Sequence, residues 1–279
     1  LSTISPTARE TIKAHLEVFV ENLVAEYKAR AIPTLDNVDA YLAQKSAEGQ
    51  MKPFHAAIVP PQLLRITEFE RGFSTSLGST FEKCAKIVAA EHHPHAEQGY
   101  ALTGQMSLSA INEIEHQVAA FESAANSKEG RPSLAQMVQS VLDAHRDDDV
   151  EERTVWAGLH ILRKDGTELF FEMKSPRPNK GQCLEVIQRI LRLHLLRRMP
   201  RPKVQAYFAM AYNPFGPDRA DYTWSFARNY LPFDEVVLLG DEFWSLVGDP
   251  STYREVLAIY QEVGREKAKY MLDALAFGF

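Results

Sequence analysis

The sequence predicts an α/β fold that is helix-rich in its first half and carries a mixed sheet flanked by helices in its second. Three observations carry this reading. Apolar residues recur at helical spacing through most of the first 145 positions. Two β-rich runs, 154–162 and 167–174, flank Arg163-Lys164-Asp165-Gly166, and Asp-Gly is a strong hairpin signal. A cationic helical stretch then separates that hairpin from two further β-rich runs, 204–212 and 235–240.

The elements follow in order. Over residues 6–30, Ile12, Leu16, Phe19, Val20, Leu23 and Val24 form one helical stripe. Residues 36–46 make a shorter helical candidate, and Pro53, Pro60 and Pro61 mark a break. Residues 63–90 read as helix, a Gly-interrupted Ser/Thr turn, then helix. Two more helical patterns occupy 107–124 and 133–145, the second opened by a Ser133 cap after Pro132. Beyond the hairpin, Leu184, Ile187, Leu191 and Leu195 keep helical spacing through the cationic stretch, and residues 251–275 close the chain as helix.

Composition narrows the class. The 279 residues are 45% hydrophobic and 24% charged, which excludes a disordered, collagen-like or coiled-coil chain. No apolar run approaches the roughly 18 residues of a membrane span, and the first residues lack the apolar centre of a signal peptide. Two cysteines, Cys84 and Cys183, cannot build a disulfide framework, so a reducing cytoplasm is expected. The net charge of −6 argues against a nucleic-acid partner until the charge is located. Residues 177–203 hold Arg177, Lys180, Arg189, Arg192, Arg197, Arg198, Arg201 and Lys203 against the single acid Glu185, a local +7 that leaves −13 for the rest. Such a concentration is the footprint of a polyanion site, with a solvated amphipathic helix as the alternative.

The chemistry concentrates in Phe170-Phe171-Glu172-Met173-Lys174-Ser175-Pro176. Alternate side chains of a strand share a face, so Glu172 and Lys174 point the same way while Phe171 and Met173 turn into the core. A carboxylate and an amine side by side suit metal-dependent phosphodiester hydrolysis: Glu172 binds Mg2+, and Lys174 orients or deprotonates the attacking water. With Asp165-Gly166 as a two-residue turn, Lys174 lies opposite residue 157 and Glu172 opposite residue 159. A PD-(D/E)xK nuclease needs a second acid near that spot, and Ala157 stands there. Three explanations compete: an Asp replaced by Ala to trap an uncleaved complex, an acid supplied by Asp149, Glu151 or Glu152 in another register, or a catalytically dead relative. The first is preferred because residue 157 is in the right place; Asp165 is a poor substitute because it sits in the turn.

The string Phe171-Glu172-Met173-Lys174-Ser175-Pro176-Arg177-Pro178-Asn179-Lys180-Gly181-Gln182 resembles the signature of TdeIII-type type II restriction endonucleases. Blocks around Phe69–Gly78, Tyr100–Gly104, Tyr207–Gly216 and Glu242–Trp244 are similar too, in the same order. The resemblance implies a PD-(D/E)xK restriction-endonuclease-like core at 61–250, preceded by a helical region at 1–60 and followed by a helix at 251–279, in one nuclease domain. It implies Mg2+ dependence and cleavage of double-stranded DNA at a short interrupted palindrome of the GGNCC kind. A homodimer, a cognate DNA methyltransferase and a bacterial cytoplasm are expected with it. Glu172 and Lys174 carry over as metal ligand and catalytic lysine; the first acid does not, because residue 157 is Ala.

Arg177, Asn179, Lys180 and Gln182, just past the catalytic strand, are candidate DNA contacts, with a rigid turn and helix cap as the alternative. Asn213 and Arg219 are a second, weaker set. Some nucleases of this fold add a helical Glu near the metal, but Glu113 and Glu115 read as surface residues. His92, His93 and His95 read as surface rather than zinc ligands. Cys84 reads as buried packing. The rival functions are a repair nuclease of the same fold and a sequence-specific DNA-binding protein without catalysis.

Overall fold

The computed structural model describes residues 3–29, 61–127, 130–198 and 203–274. The 36–46 helix candidate, Pro53 and Pro60, and Arg201 lie outside them. Two compact units emerge, one from Leu1–Ile4 with Phe81–Tyr253, the other from Ser5–Thr80 with Arg254–Phe279.

The second unit is helical. Helix α1 (Pro6–Ala29) buries Ile12, Leu16, Val20, Leu23 and Val24, the predicted stripe. Helix α2 (Pro61–His92), whose residues from Phe81 onward belong to the first unit, is continuous where a turn was expected. The hydroxyls of Thr67 and Thr75 donate back to the carbonyls of Leu63 and Arg71, one turn earlier, so the Ser/Thr residues satisfy themselves within the helix instead of breaking it.

The first unit holds a five-stranded mixed sheet in the order β1-β2-β3-β4-β5. Strand β1 (His95–Ser107) is absent from the sequence expectation, and its glycines explain why. Tyr100, Leu102 and Met106 alternate as strand residues should, but Gly99 and Gly104 interrupt the pattern. Helices α3 (Leu108–Asn126) and α4 (Leu134–Asp143) follow, the latter opened by a Ser133–Gln136 capping box. Strand β2 (Val150–Leu162) begins four residues earlier than expected and pairs antiparallel with β1 along its length. Strand β3 (Glu168–Met173) pairs antiparallel with β2 only from Leu159–Phe171 to Leu162–Glu168.

That register corrects the expected one by a single residue. A two-residue type I′ turn needs positive φ at both central positions. Among the described residues none but glycine has positive φ, so Asp165 cannot fill such a turn. The loop takes three residues instead: Arg163 N–H donates to the Thr167 carbonyl at 2.9 Å, and Gly166 sits at φ 79°. Position 158, not 159, is therefore the one that continues the ladder towards Glu172.

Helix α5 (Lys180–Leu196) leads from β3 to β4 (Val204–Met210), which pairs parallel with β3, and β5 (Val237–Leu239) extends the parallel half. Between β4 and β5 lie helices α6 (Ser225–Tyr230) and α7 (Phe233–Val236); α8 (Asp241–Val247) and α9 (Thr252–Leu272) follow. The core forms where Leu102, Met106, Val155, Ala157, Phe170 and Phe208 of the sheet meet Ile114, Phe121, Met137, Ile187 and Leu191 of the helices. On the other side of β3, Phe171 stacks with Tyr207 and meets Phe243 edge-on. Both faces of β3 are thus covered, which fixes the strand that ends in Glu172 and Lys174. No helix among the described residues is long and apolar enough to cross a membrane.

Candidate active site

Helix α5 and strand β3 are clamped at two points. Arg189 donates to Glu172, and Arg197 reaches Glu168 at 3.0 Å. The two arginines are eight residues apart on the helix, about 12 Å at 1.5 Å per residue. The two acids are four apart on the strand, about 13 Å. The spacings match, and the helix runs antiparallel to β3, as the return to parallel β4 requires. The same contacts reduce the free positive charge of the basic stretch that was read as a polyanion site. Lys180 pairs with Glu122, Arg189 with Glu172 and Glu185, and Arg197 with Glu168. Arg198 donates to the carbonyls of Gln105 and Leu195. Much of the local positive charge neutralises acids of the fold itself, around a helix whose Cys183, Val186, Ile187, Ile190 and Leu191 are buried.

Glu172 is nearly enclosed, with its side chain 10% exposed, and Lys174 Nζ lies 2.9 Å from its Oε1. A second carboxylate approaches from α2. Glu82, half-buried, accepts a hydrogen bond from Gln98 Nε2 at 3.3 Å. A Cβ placed on Gly158 would lie 2.6 Å from Glu82 Oε1 and 3.3 Å from the Phe171 carbonyl. The glycine therefore leaves the space that Glu82 enters, at the point where β2 parts from β3. Burial raises the Glu82 pKa; the negative charge of Glu172 adds to that rise, while the Gln98 hydrogen bond and Lys174 oppose it. Glu82, Glu172 and Lys174 thus form one electrostatic cluster. Glu82 is the functional candidate that sequence reasoning missed: of the helical acids weighed, Glu113 and Glu115 read as surface residues, and Glu113 meets Gln117 and His116.

Ala157 lines a recess shared with Phe170, Glu172, Val186 and Arg189, so residue 157 borders the site although it does not pair opposite Lys174. The other candidate acids lie elsewhere. Glu152 pairs across from Gln105, six residues or about 20 Å along β2 from Gly158. Glu151 is held by Arg153, and Asp149 accepts from the Ser109 amide at 2.9 Å. Among the described residues no group of three or more His, Cys, Asp or Glu forms a metal cage. Two carboxylates that repel one another beside a lysine nevertheless fit Mg2+, which is commonly held by one or two carboxylates with substrate phosphate completing the shell.

The candidate DNA contacts divide. Asn179 and Gln182 form a reciprocal capping box: Asn179 Oδ1 accepts from the Gln182 amide, and Gln182 Oε1 from the Asn179 amide, each at 2.9 Å. Lys180 lies over the Tyr230 ring at 5.6 Å besides its pairing with Glu122. Asn213 closes its own loop, donating to the Asp218 carbonyl and accepting from the Phe215 amide. Arg219 binds Glu242 and the carbonyls of Val237 and Phe233. Arg177 differs: it is exposed and rests over the rings of Phe215 and Trp224 at about 6 Å. Trp224 and Tyr222 in turn donate to the carbonyls of Pro178 and Pro176, fixing the segment that leaves β3.

The cap assignment has a measurable consequence. Asn179→Ala is expected to cost about 1 kcal/mol of stability through the lost cap, read by urea unfolding. Its DNA affinity in Ca2+ should change less than that of Arg177→Ala.

Residues 6–264 match the family described as "Type II restriction endonuclease, HinfI". The chain is also 41% identical over 273 residues to the type II restriction enzyme HgiCII of Herpetosiphon aurantiacus, covering 98% of this chain and 99% of that one. It is 42% identical over 272 residues to the type II restriction enzyme HgiEI of the same organism, covering 98% of each. The likeness first visible between Phe171 and Gln182 therefore extends over nearly the whole chain.

Proposed function

The chain belongs to the HinfI family of type II restriction endonucleases, and on that premise we propose that Glu82, Glu172 and Lys174 form its working active site. In this reading the chain is active with Ala157 in place. The observation that carries it is the approach of Glu82 to Gly158, which supplies a second acid where residue 157 supplies none.

Glu82 and Glu172 would hold Mg2+, which supplies Lewis-acid polarisation of the scissile phosphate and an acidified water. Arg189 pairs with Glu172 and orients it. The Lys174 ammonium, set by the backbone bond from its amide to the Ala209 carbonyl, offsets charge developing on the phosphate and orients the attacking water. Arg177 meets the phosphate backbone beyond the end of β3. The substrate is double-stranded DNA, cut at a short interrupted palindrome of the GGNCC kind, by a homodimer with one active site per strand. A cognate methyltransferase protects the host DNA in a bacterial cytoplasm. Incubation with unmethylated phage DNA and Mg2+ tests the function: discrete fragments support it, and a smear points to an unspecific or repair nuclease.

The raised Glu82 pKa fixes a pH dependence. Metal binding requires the carboxylate, so Mg2+-dependent cleavage should fail on acidification at a pH above the ordinary glutamate range. Stability runs the other way. Without metal, the contribution of Glu82 is full below its unfolded pKa and is lost as pH rises through the raised folded value. The difference in Tm between the unaltered chain and Glu82→Gln, followed across that window with and without Mg2+, should show this loss and its reversal by the metal.

A further inference from the structure

Strand β2 runs well past the end of its pairing with β3. Among the described residues, only Leu159–Leu162 pair with β3, whereas β2 continues back to Val150 with β1 as its sole partner strand. This two-stranded ribbon begins beside the active site. Its inner face, with Leu102, Met106, Val155 and Ala157, is buried in the core. Strand alternation puts Ala101, Thr103, Thr154 and Trp156 on the other face, and all four are exposed. The Thr103 and Thr154 hydroxyls bond across the strands at 2.8 Å. Trp156 pairs with the small Ala101 and is 60% exposed, the most exposed aromatic among the described large hydrophobic side chains.

The position of this indole is specific. It stands two residues from Gly158, about 7 Å along the strand, on the same face as the glycine that admits Glu82. It is carried by a rigid sheet and anchored on its inner side by Val155 and Ala157. At 60% exposure, most of the indole lies outside the packing of the described residues. A two-stranded ribbon is narrow enough to enter the major groove of duplex DNA, and an aromatic face packs against a base or sugar.

We propose that the outer face of the β1–β2 ribbon is a DNA-contacting surface, with Trp156 lying against the nucleotides next to the scissile phosphate and the Thr103–Thr154 hydroxyl pair beside it. This rests on the nuclease reading of the neighbouring acids. Trp156 acts by positioning the duplex, so its loss should weaken binding and slow cleavage together, without altering the metal site.

The test compares the unaltered chain with Trp156→Phe and Trp156→Ala. The three tryptophans differ in exposure, with Trp244 buried and Trp224 bonded to the Pro178 carbonyl, so accessible emission belongs mainly to Trp156. Titration with sheared phage DNA in Ca2+ should protect that emission from acrylamide, and the protected component should be missing in Trp156→Phe. Trp156→Ala should bind the DNA about tenfold to a hundredfold more weakly, with unchanged Tm and unchanged Mg2+ dependence of cleavage. If the unaltered chain binds and cuts DNA while Trp156 stays accessible, or if Trp156→Ala cuts equally well, the inference is overturned and the nuclease reading stands. If Trp156→Ala instead lowers the mass in solution from dimer to monomer with DNA affinity intact, the surface belongs to a second copy and the inference is again overturned. If the unaltered chain neither binds nor cuts DNA, both readings fall together.

Discussion

Replacing Glu82 by Gln should remove Mg2+-dependent cleavage by about a thousandfold or more, because half of the proposed pair of metal-holding carboxylates disappears. The substitution keeps the shape and the acceptor oxygen that meets Gln98, so the helix that carries it should fold as before. Since burial and the charge of Glu172 both disfavour the ionised side chain, Glu82→Gln should if anything raise the Tm of the metal-free protein. Loss of activity with equal or greater stability is the pattern of a functional group held at a cost to the fold. Single-turnover cleavage beside thermal unfolding gives both readings. Gly158→Ala approaches the same point from the other strand. Its Cβ would crowd Glu82 Oε1 at 2.6 Å, and because that atom ends a flexible side chain, the carboxylate would swing away. Cleavage should drop about tenfold to a hundredfold with a small change in unfolding free energy. A fully active Gly158→Ala enzyme would show that Glu82 is not needed in its present place.

Lys174→Ala carries the second large effect. Truncation removes the ammonium but leaves Glu172 paired with Arg189. The stability change should therefore stay within about 1 kcal/mol, while kcat falls by about a hundredfold to ten-thousandfold. Binding of DNA in Ca2+ should change little, since one phosphate contact among many is lost. Arg189→Ala should look different, because it strips a nearly buried carboxylate of a partner and uncouples α5 from β3. The contrast between a kinetic defect at Lys174 and a folding defect at Arg189 separates catalysis from architecture.

Much of this was legible in the sequence. The apolar stripe of α1, the Ser133 cap, the hairpin and the Glu172–Lys174 pair follow from local periodicity and turn chemistry. The misreadings have physical causes. In β1 the interrupting Gly99 and Gly104 mask the alternation, so a strand was missed that makes half of the ribbon beside the site. In α2 the Ser/Thr run reads as a turn because those side chains compete for backbone partners, yet here they bond back within the helix. The hairpin slipped by one residue because the Asp165 side chain accepts from the Thr167 amide and only Gly166 turns to positive φ. That one residue put Ala157 opposite Lys174, and Leu159 in place of Gly158 opposite Glu172. Glu82 was beyond reach for a different reason: it is about ninety positions from Glu172, and only the packing of α2 against β2 brings them together. Charge density misled in the opposite direction. The +7 stretch reads as a polyanion site, but its Arg189 and Arg197 are matched to acids of β3 by the spacing of helix and strand, a relation that no count of charges contains.

In the proposed site, two acids from α2 and β3 suffice without an acid at residue 157. The most direct test compares Mg2+-dependent cleavage of unmethylated phage DNA by the unaltered chain and by Ala157→Asp. The unaltered chain should cut the DNA into discrete fragments, and Ala157→Asp, which places a third carboxylate in the recess with Arg189, should gain no activity. An inert unaltered chain that Ala157→Asp converts into an active nuclease would contradict the account.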